Sequence, residues 1–336
     1  MPPNKRRRRS RKPAAGSDRE RFNKALLATA AKLTSEEISL GDLKVATSTM
    51  REMERAFRMF RPYADRRKIS TFGSARTRVG DAVFTLAEEF ARRIADAGFM
   101  IITGAGPGIM QACQQGAGRE RSFGVNIRLP FEQSANPVIH GDPKLATFRY
   151  FFTRKLFFLK EADAVVLFPG GFGTHDEGFE TLTLLQTGKT RPIPLVLLDR
   201  PGGTYWKTWQ RYVEDHILRR AMIDPDDLNL YLVTNSIDTA VDEIVGYYRV
   251  YHSSRFVRDH LVIRMLRQLP DDYVELLEQE FRDIIVRGRL RQREAFTAEE
   301  GEPQLAGLPR LVFRFKRMNF GRLRMLINRI NDAPVV

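Results

Sequence analysis

One short segment of the 336-residue chain combines glycines with carboxylates at a spacing that suits a phosphorylated ligand. It reads PGGFGTHDEGFE, from Pro169 to Glu180, and directly follows the apolar run AVVLF. Three glycines free its backbone to curl around a ligand: Gly170, Gly171 and Gly173. A helix that follows such a turn directs its unpaired N–H groups and its positive dipole end at an anion. The segment therefore predicts a phosphate site.

Side chains within the same segment could act on what the turn holds. Thr174 can add a hydroxyl contact and cap the helix. Glu177 and Glu180 are three residues apart and would share a helix face one turn further in. A phosphate site followed by a carboxylate is what chemistry at the anomeric carbon of a phosphorylated sugar requires.

Two further glycine turns follow apolar runs earlier in the chain. Gly73 and Ser74 come after the first run and offer close backbone approach and a hydroxyl donor. A second turn, GAGPGIM, carries three glycines at alternate positions: Gly104, Gly106 and Gly108. It does not satisfy GxGxxG, and the chain has no GxxxxGK[ST], so a mononucleotide is favoured over NAD or ATP. A tight strand-to-helix turn without ligand is the alternative for GAGPGIM.

Adjacent cations, Arg154 and Lys155, precede the AVVLF run on a predicted helix. Two positive charges beside a phosphate-binding turn can neutralise the ligand and orient a carboxylate. The alternative is an ordinary pair of surface cations.

Composition limits the classes of protein to consider. An apolar fraction of 43% supports a large core. The chain has no apolar run long enough for a membrane span and its start lacks the apolar core of a signal peptide, which predicts a cytoplasmic protein. The single cysteine, Cys113, and five scattered histidines predict neither a disulfide nor a metal site.

The net charge of +14 is concentrated near the start of the chain, where residues 1–21 hold nine Lys and Arg side chains against Asp18 and Glu20. This composition predicts a disordered basic tail. Contact with a polyanion such as nucleic acid or anionic lipid is the alternative role for the tail.

The elements that would position these residues alternate between strand and helix. Six runs are predicted strands: 68–72, 99–103, 123–129, 164–168, 193–198 and 230–234. Continuous apolar runs such as AVVLF and PLVLL suit a parallel sheet covered on both faces. Strands spaced by helices predict an α/β, doubly wound, Rossmann-like fold. Ligands of such folds bind beyond the carboxyl ends of the strands.

Four regions are expected along the chain. They are a basic disordered tail (1–21), a helical extension (22–65), a Rossmann-like nucleotide-binding catalytic domain (66–250) and a small α/β C-terminal appendage (251–336). In the extension, Phe22–Lys32 and Met50–Phe60 are predicted helices. In the appendage, helices are predicted at 271–286 and 320–330 and a strand at 311–316.

These motifs resemble the Lonely Guy phosphoribohydrolases, a family long labelled possible lysine decarboxylases. The family signature PGGxGTxxE matches Pro169–Glu177, the Arg-Lys pair matches Arg154–Lys155, and the glycine turns match GSAR and GAGPGIM. The resemblance covers about residues 66–250. The segment GVNIRLPFEQ and both extensions are similar to a longer bacterial branch. Two positions depart from the small plant-type members: Phe152 stands where His is usual, and His175 where an apolar residue is usual.

The resemblance implies hydrolysis of the N-glycosidic bond of a nucleoside 5′-monophosphate to free base and ribose 5-phosphate. Glu177 would stabilise the oxocarbenium-like ribose and Arg154 would position Glu177 and the ribose. Lys155 would support the phosphate. The remaining assigned contacts, to ribose or base, are Glu180, Thr183 and Glu132. The scheme requires no metal and no cofactor, and the family implies a homodimer or larger homo-oligomer.

Other functions stay open at this point. A non-hydrolytic nucleotide-binding or carrier protein of the same fold would need the phosphate turn but not the carboxylate. Amino-acid decarboxylation would need a Schiff-base lysine in a cofactor site, for which the sequence offers no support. The preferred base does not follow from the sequence.

Overall fold

The structure is a computed structural model, and it describes residues 15–130, 134–299 and 301–335. Its ten α-helices in these ranges are α1 Ala15–Leu33, α2 Leu40–Phe60, α3 Ala82–Asp96, α4 Ile109–Ala117, α5 Phe151–Lys160, α6 Phe172–Gln186, α7 Tyr205–Tyr212, α8 Ile237–Tyr247, α9 Asp271–Glu280 and α10 Phe320–Asn331. The strands of the described residues are β1 Lys68–Phe72, β2 Met100–Thr103, β3 Ser122–Ile127, β4 Leu145–Phe148, β5 Ala164–Leu167, β6 Leu195–Leu198, β7 Leu232–Thr234, β8 Tyr251–Val257, β9 His260–Met265, β10 Arg291–Arg293 and β11 Arg310–Phe313.

The first seven strands form one parallel sheet in the order β4-β3-β2-β1-β5-β6-β7. All residues of β1, β2, β5 and β6 are buried, because helices cover both faces of the sheet. The predicted α/β, doubly wound, Rossmann-like fold is confirmed. β4, with the sequence LATF, was not predicted, because it is short and lacks a continuous apolar run.

Two layers of helices cover the sheet. On one face, α3, α4 and α8 contribute Phe90, Ile109 and Ile244 to a core that also contains Val166 of β5. On the other face, α2, α5, α6 and α7 pack around a second cluster of buried side chains. Within it, the Phe60 ring of α2 stacks on Phe123 of β3 at 4.6 Å between centroids.

The N-terminal part differs in its boundaries from the prediction. α1 begins at Ala15, so residues 15–21 of the predicted disordered tail are helical. The basic run at residues 5–12, with its expected polyanion contact, lies outside the described residues. No helix in the described part of the chain is both long and apolar enough to cross a membrane.

The C-terminal part forms a second, antiparallel sheet in the order β10-β11-β9-β8. Neither β8 nor β9 was predicted from the sequence. Leu261 of β9, Leu311 of β11 and Leu326 of α10 belong to the same core cluster as the first face of the main sheet. The C-terminal sheet therefore shares a hydrophobic core with the parallel sheet.

One glycine holds α10 against the end of α6. Gly188 has a φ of +64°, and a Cβ at this position would lie 1.9 Å from the Phe320 ring. Only glycine combines this backbone conformation with so close an approach. The contact links the C-terminal helix to the helix of the predicted phosphate turn.

Candidate active site

A cleft of about 700 Å³ lies at the carboxyl ends of β1, β2 and β5. β1 pairs with β2 on one side and with β5 on the other. Strands β1 to β4 follow one another towards one edge of the sheet and β5 to β7 towards the other edge, so the strand order reverses between β1 and β5. Doubly wound folds bind their ligands at such a switch point. The cleft is lined by residues of all three predicted glycine turns and by Arg154, Glu177 and Tyr205.

Backbone hydrogen bonds join the first turn to each of the other two. Ser74 N–H donates to Pro169 O (3.1 Å), and Ile109 N–H donates to Ser74 O (3.0 Å). Gly108 has a φ of +68°, and a Cβ there would lie 2.3 Å from Ser74 O. Gly73 packs as closely, since its Cβ would meet the Ile109 side chain at 2.7 Å. These glycines permit the close packing that brings the turns to one cleft.

The glycines of GAGPGIM therefore differ in what they do. Gly104 lines the cleft, and a Cβ there would lie 2.8 Å from Met110 Sδ. Gly106 O accepts a hydrogen bond from Asn136 Nδ2 (3.0 Å). Gly108 packs against the backbone of the first turn at Ser74. Neither Gly106 nor Gly108 lines the cleft, although both were predicted to bind substrate.

A second cleft, also of about 700 Å³, lies beside the same turn. Its lining includes Pro107, Gln111, Asn136 and His140. Glu132, the predicted base contact, belongs to the stretch 131–133, which lies outside the described residues.

The third turn begins α6, whose N-terminus faces the first cleft. Gly171 is the N-cap residue, and no side chain caps the helix. Thr174 N–H and His175 N–H both donate to Gly171 O, at 3.0 and 3.2 Å, whereas the preceding N–H groups of the helix start are available to a ligand. Gly170 is required by packing, because its Cβ would lie 2.1 Å from Thr174 Oγ1. An uncapped helix start of this kind can bind an anion.

Glu177 lies one turn further along α6 and is only 4% exposed, although it lines the cleft. Burial raises the pKa of this carboxyl to about 7, against the opposing effects of Lys155 and Arg154. Its Oε2 atom makes no hydrogen bond within the described residues; the nearest cation, Lys155 Nζ, is at 3.4 Å, an ion-pair distance without hydrogen-bond geometry. A buried carboxyl with such a pKa is typical of a functional site.

The adjacent cations of α5 face different surroundings. Lys155 Nζ contacts carboxylates of α6, at 2.5 Å from Glu180 Oε2 and 2.9 Å from Asp176 Oδ2, besides Glu177. Lys155, the predicted phosphate contact, does not line the cleft.

Arg154 instead lines the cleft. Its guanidinium lies over the rings of Phe151 and Phe158, at 4.8 and 5.4 Å from their centroids, and its Nε makes no hydrogen bond within the described residues. Burial lowers the pKa of Arg154, although Arg remains a cation. The cleft therefore holds a cation available to an anionic ligand.

Two further predicted contacts are not brought into the cleft. Glu180 is occupied by Lys155, and the exposed Thr183 donates through Oγ1 to Phe179 O (2.8 Å) within α6. Neither residue lines the cleft of this chain.

Tyr205, at the start of α7, was missed by the sequence analysis. Its hydroxyl donates to Gly170 O in the phosphate turn and lies 2.7 Å from His175 Nε2. Burial lowers the pKa of His175, which favours the neutral form of the ring beside Tyr205. The only sequence signal for Tyr205 was its position after β6, because no local motif marks this contact.

The strand order and the cleft define an α/β Rossmann-like protein with a cleft at its switch point. Residues 109–244 match the family model described as "possible lysine decarboxylase". This match confirms, for that part of the chain, the resemblance predicted from the sequence. A search of curated proteins found no match.

Solved structures with partial similarity include three proteins of different description. A molybdenum cofactor binding protein from Rippkaea orientalis is 18% identical, with 53% of this chain and 94% of that chain covered and a TM-score of 0.36. A Moco carrier protein from Chlamydomonas reinhardtii is 19% identical (52% and 93% covered, TM-score 0.33). DNA processing protein A from Helicobacter pylori is 14% identical (53% and 80% covered, TM-score 0.35).

Proposed function

We propose that the protein hydrolyses the N-glycosidic bond of a nucleoside 5′-monophosphate and releases the free base and ribose 5-phosphate. The observation that carries this proposal is the position of Glu177. It is a buried carboxyl that lines a cleft formed by an uncapped helix N-terminus and an available arginine. The proposal rests on this geometry together with the family resemblance.

The helix start would bind the 5′-phosphate. Its free N–H groups and the positive end of the α6 dipole stabilise a phosphate dianion, and the glycines leave room for its oxygens. Arg154, which also lines the cleft, supplies a full positive charge. A phosphate bound there places the attached ribose toward Glu177, one helical turn further along α6.

Glu177 would then act on the sugar. As the bond from C1′ to the base nitrogen breaks, positive charge develops on the ribose, and a buried carboxylate beside it stabilises that state. Water adds to C1′, the bonding electrons leave with the base, and the proton lost by the water balances the protonation of the base. The ionised form of Glu177 is required, whether it stabilises the charge or accepts the proton of the water.

Lys155 would position Glu177 and keep part of its population ionised. Its ammonium lies 3.4 Å from Glu177 Oε2 and is itself held by Glu180 and Asp176. In this proposal Lys155 serves the carboxylate and Arg154 serves the substrate.

The test is release of ribose 5-phosphate from a panel of purine and pyrimidine 5′-monophosphates. We expect Glu177→Ala and Glu177→Gln to lower kcat by at least about 100-fold, the usual scale for loss of a positioned catalytic group. Glu180→Gln is the matched control, because Glu180 lies on the same helix and contacts the same lysine outside the cleft. This variant should release ribose 5-phosphate at a rate within about tenfold of that of the wild type. Tight nucleotide binding by the wild type without release would refute hydrolysis and favour a carrier.

We also propose that the chain acts as a homodimer or larger homo-oligomer. Large apolar side chains on α2 and α5 are exposed, among them Phe57, Phe151, Phe152 and Leu156. An apolar surface of this kind supports a protein contact. Light scattering coupled to gel filtration measures the mass, and a monomer of 38.6 kDa would contradict this proposal.

A further inference from the structure

The C-terminal antiparallel sheet has two unlike faces. Its inner face packs into the main core through residues such as Ile263 and Phe313. On its outer face, Val257, Val262 and Val312 form a small separate cluster, with Phe296 packed against it. Because side chains alternate along a strand, residues two apart on each strand share the outer face.

In one part of the outer face, glutamates neutralise the charges of the arginines. Glu299 is buried and its Oε1 lies 2.7 Å from Arg264 Nη2 and 3.5 Å from Arg310 Nη2. Glu302 pairs with Arg255 at 2.7 Å. The buried Arg264 and Arg310 thus have a carboxylate partner within the fold, as buried charges require.

The other part of the outer face is a groove of about 550 Å³ dominated by arginine. Five arginines line it: Arg287, Arg289, Arg291, Arg293 and Arg314. The first four alternate with other residues along β10 and the stretch that leads into it. Between them, Leu290 is buried and Gln292 Nε2 donates to Leu269 O (2.9 Å), so the opposite side of this stretch faces the protein.

The groove carries more positive charge than the nearby carboxylates neutralise. Arg314 pairs with Asp259 at 3.1 Å, and Arg289 Nε is 3.9 Å from Glu278 Oε1. Within the described residues, Arg287 and Arg291 make no ion pair. Gathered like charges attract polyanions and supply the phosphate contacts of nucleic-acid binding.

A cation–aromatic pair lies beside this charge. The guanidinium of Arg293, which lines the groove, lies 3.9 Å from the centroid of Phe296. Guanidinium planes and aromatic rings are the surfaces on which unpaired bases stack. A duplex keeps its base faces covered and would use only the charge.

We propose that this arginine groove binds a single-stranded nucleic acid, with phosphates on the row of arginines and unpaired bases stacked at the Arg293–Phe296 pair. The surface lies on the second sheet and shares no lining residue with the cleft of Glu177. The inference is therefore independent of the proposed hydrolase function. It also assigns polyanion binding to a folded surface and not to the N-terminal tail.

The test uses full-length protein and fluorescence anisotropy of labelled RNA and DNA single strands of about 12 nucleotides, a length within the usual site size. Three variants each replace four arginines by Gln, so that all lose the same charge. The groove variant changes Arg287, Arg289, Arg291 and Arg293. The tail variant changes Arg6, Arg7, Arg8 and Arg9. The surface variant changes exposed arginines elsewhere, namely Arg51, Arg58, Arg211 and Arg219.

We expect the wild type to bind at low salt with an affinity that falls steeply as salt rises. The groove variant should bind at least about tenfold more weakly, and its slope of log affinity against log salt should be smaller by about 3, from about 0.7 per lost phosphate contact on a single strand. The tail and surface variants should keep most of the affinity. Preference for RNA or for DNA identifies the kind of strand bound.

Several outcomes would overturn the proposal. They are absence of binding by the wild type, an equal loss in the surface variant, a larger loss in the tail variant than in the groove variant, and competition by a duplex as strong as that by the single strand. The double variant Arg287→Gln/Arg291→Gln, which breaks no ion pair among the described residues, guards against misfolding. Its salt slope should fall by about half as much as that of the groove variant, and its thermal melt should match that of the wild type. A slope equal to that of the wild type would also refute the assignment.

Discussion

Replacing Glu177 by Gln should stabilise the protein, and by an amount that depends on pH. The folded chain buries this carboxyl and raises its pKa from the ordinary 4.5 to about 7. Between these two values the folded state holds a proton that the unfolded state has released. The free energy of unfolding therefore falls as pH rises from about 4.5 to 7, because ionisation is easier in the unfolded chain.

The magnitude follows from the two pKa values. A tenfold change in a protonation equilibrium is worth about 1.4 kcal/mol. The buried charge of Glu177 thus costs the folded state about 3 kcal/mol at pH 8, about 2 kcal/mol at pH 6 and under about 0.5 kcal/mol at pH 4.5. Gln has nearly the same shape and no charge, so Glu177→Gln removes this cost. For a chain of 336 residues, about 3 kcal/mol corresponds to a rise in Tm of about 4 to 5 °C.

Thermal unfolding of the wild type and of Glu177→Gln, measured in steps from pH 4.5 to 8.5, provides the assay. The difference in Tm should be near zero at the acid end and grow until about pH 7, where it levels off. Glu180→Gln serves as the control: it removes a hydrogen bond from Lys155 on the same helix, and its Tm should not rise. A Tm difference for Glu177→Gln that is negative or independent of pH would refute the burial argument. A stabilised variant that has lost catalysis would show that the site is maintained at the expense of stability.

Four further results are expected. The kcat/KM for nucleotide hydrolysis should rise with pH and level off above about 7, since Glu177 must ionise; a profile that is flat from pH 5 to 9 would argue against its role. Lys155→Met should move the midpoint of that profile to higher pH, because the ammonium lowers the pKa of Glu177; an unmoved midpoint would show that Lys155 is only structural. Tyr205→Phe should weaken phosphate binding about fivefold, the value of one hydrogen bond, because Gly170 O loses its donor; calorimetry with ribose 5-phosphate measures this, and unchanged affinity would contradict it. Gly108→Ala should lower the free energy of unfolding by more than about 1 kcal/mol through strain at φ +68°, a change that urea denaturation would detect or exclude.

Local patterns in the sequence were sufficient to predict most of the parallel sheet. Runs such as AVVL and LVLL in β5 and β6 are apolar throughout, because both faces of these strands are covered. The second sheet was harder to predict. β8 is mostly half-exposed, and Arg264 interrupts the apolar residues of β9 while being buried against Glu299. A buried charge that is neutralised by a residue 35 positions away leaves no local signal.

The sequence by itself determined the glycine turns, the helix that follows the third turn, and the carboxylate one turn into it, because these features depend on spacing within a few residues. Tertiary structure decided which groups share the cleft. Arg154 and Lys155 are neighbours in sequence, but successive helix residues point about 100° apart, so only packing against β5 and α6 set which one faces the ligand and which one lies behind Glu177. The same packing placed Tyr205 beside His175, which lies 30 residues earlier, and turned Glu180 away from the cleft. Contacts between distant segments depend on how whole elements pack, and no spacing rule within one segment encodes them.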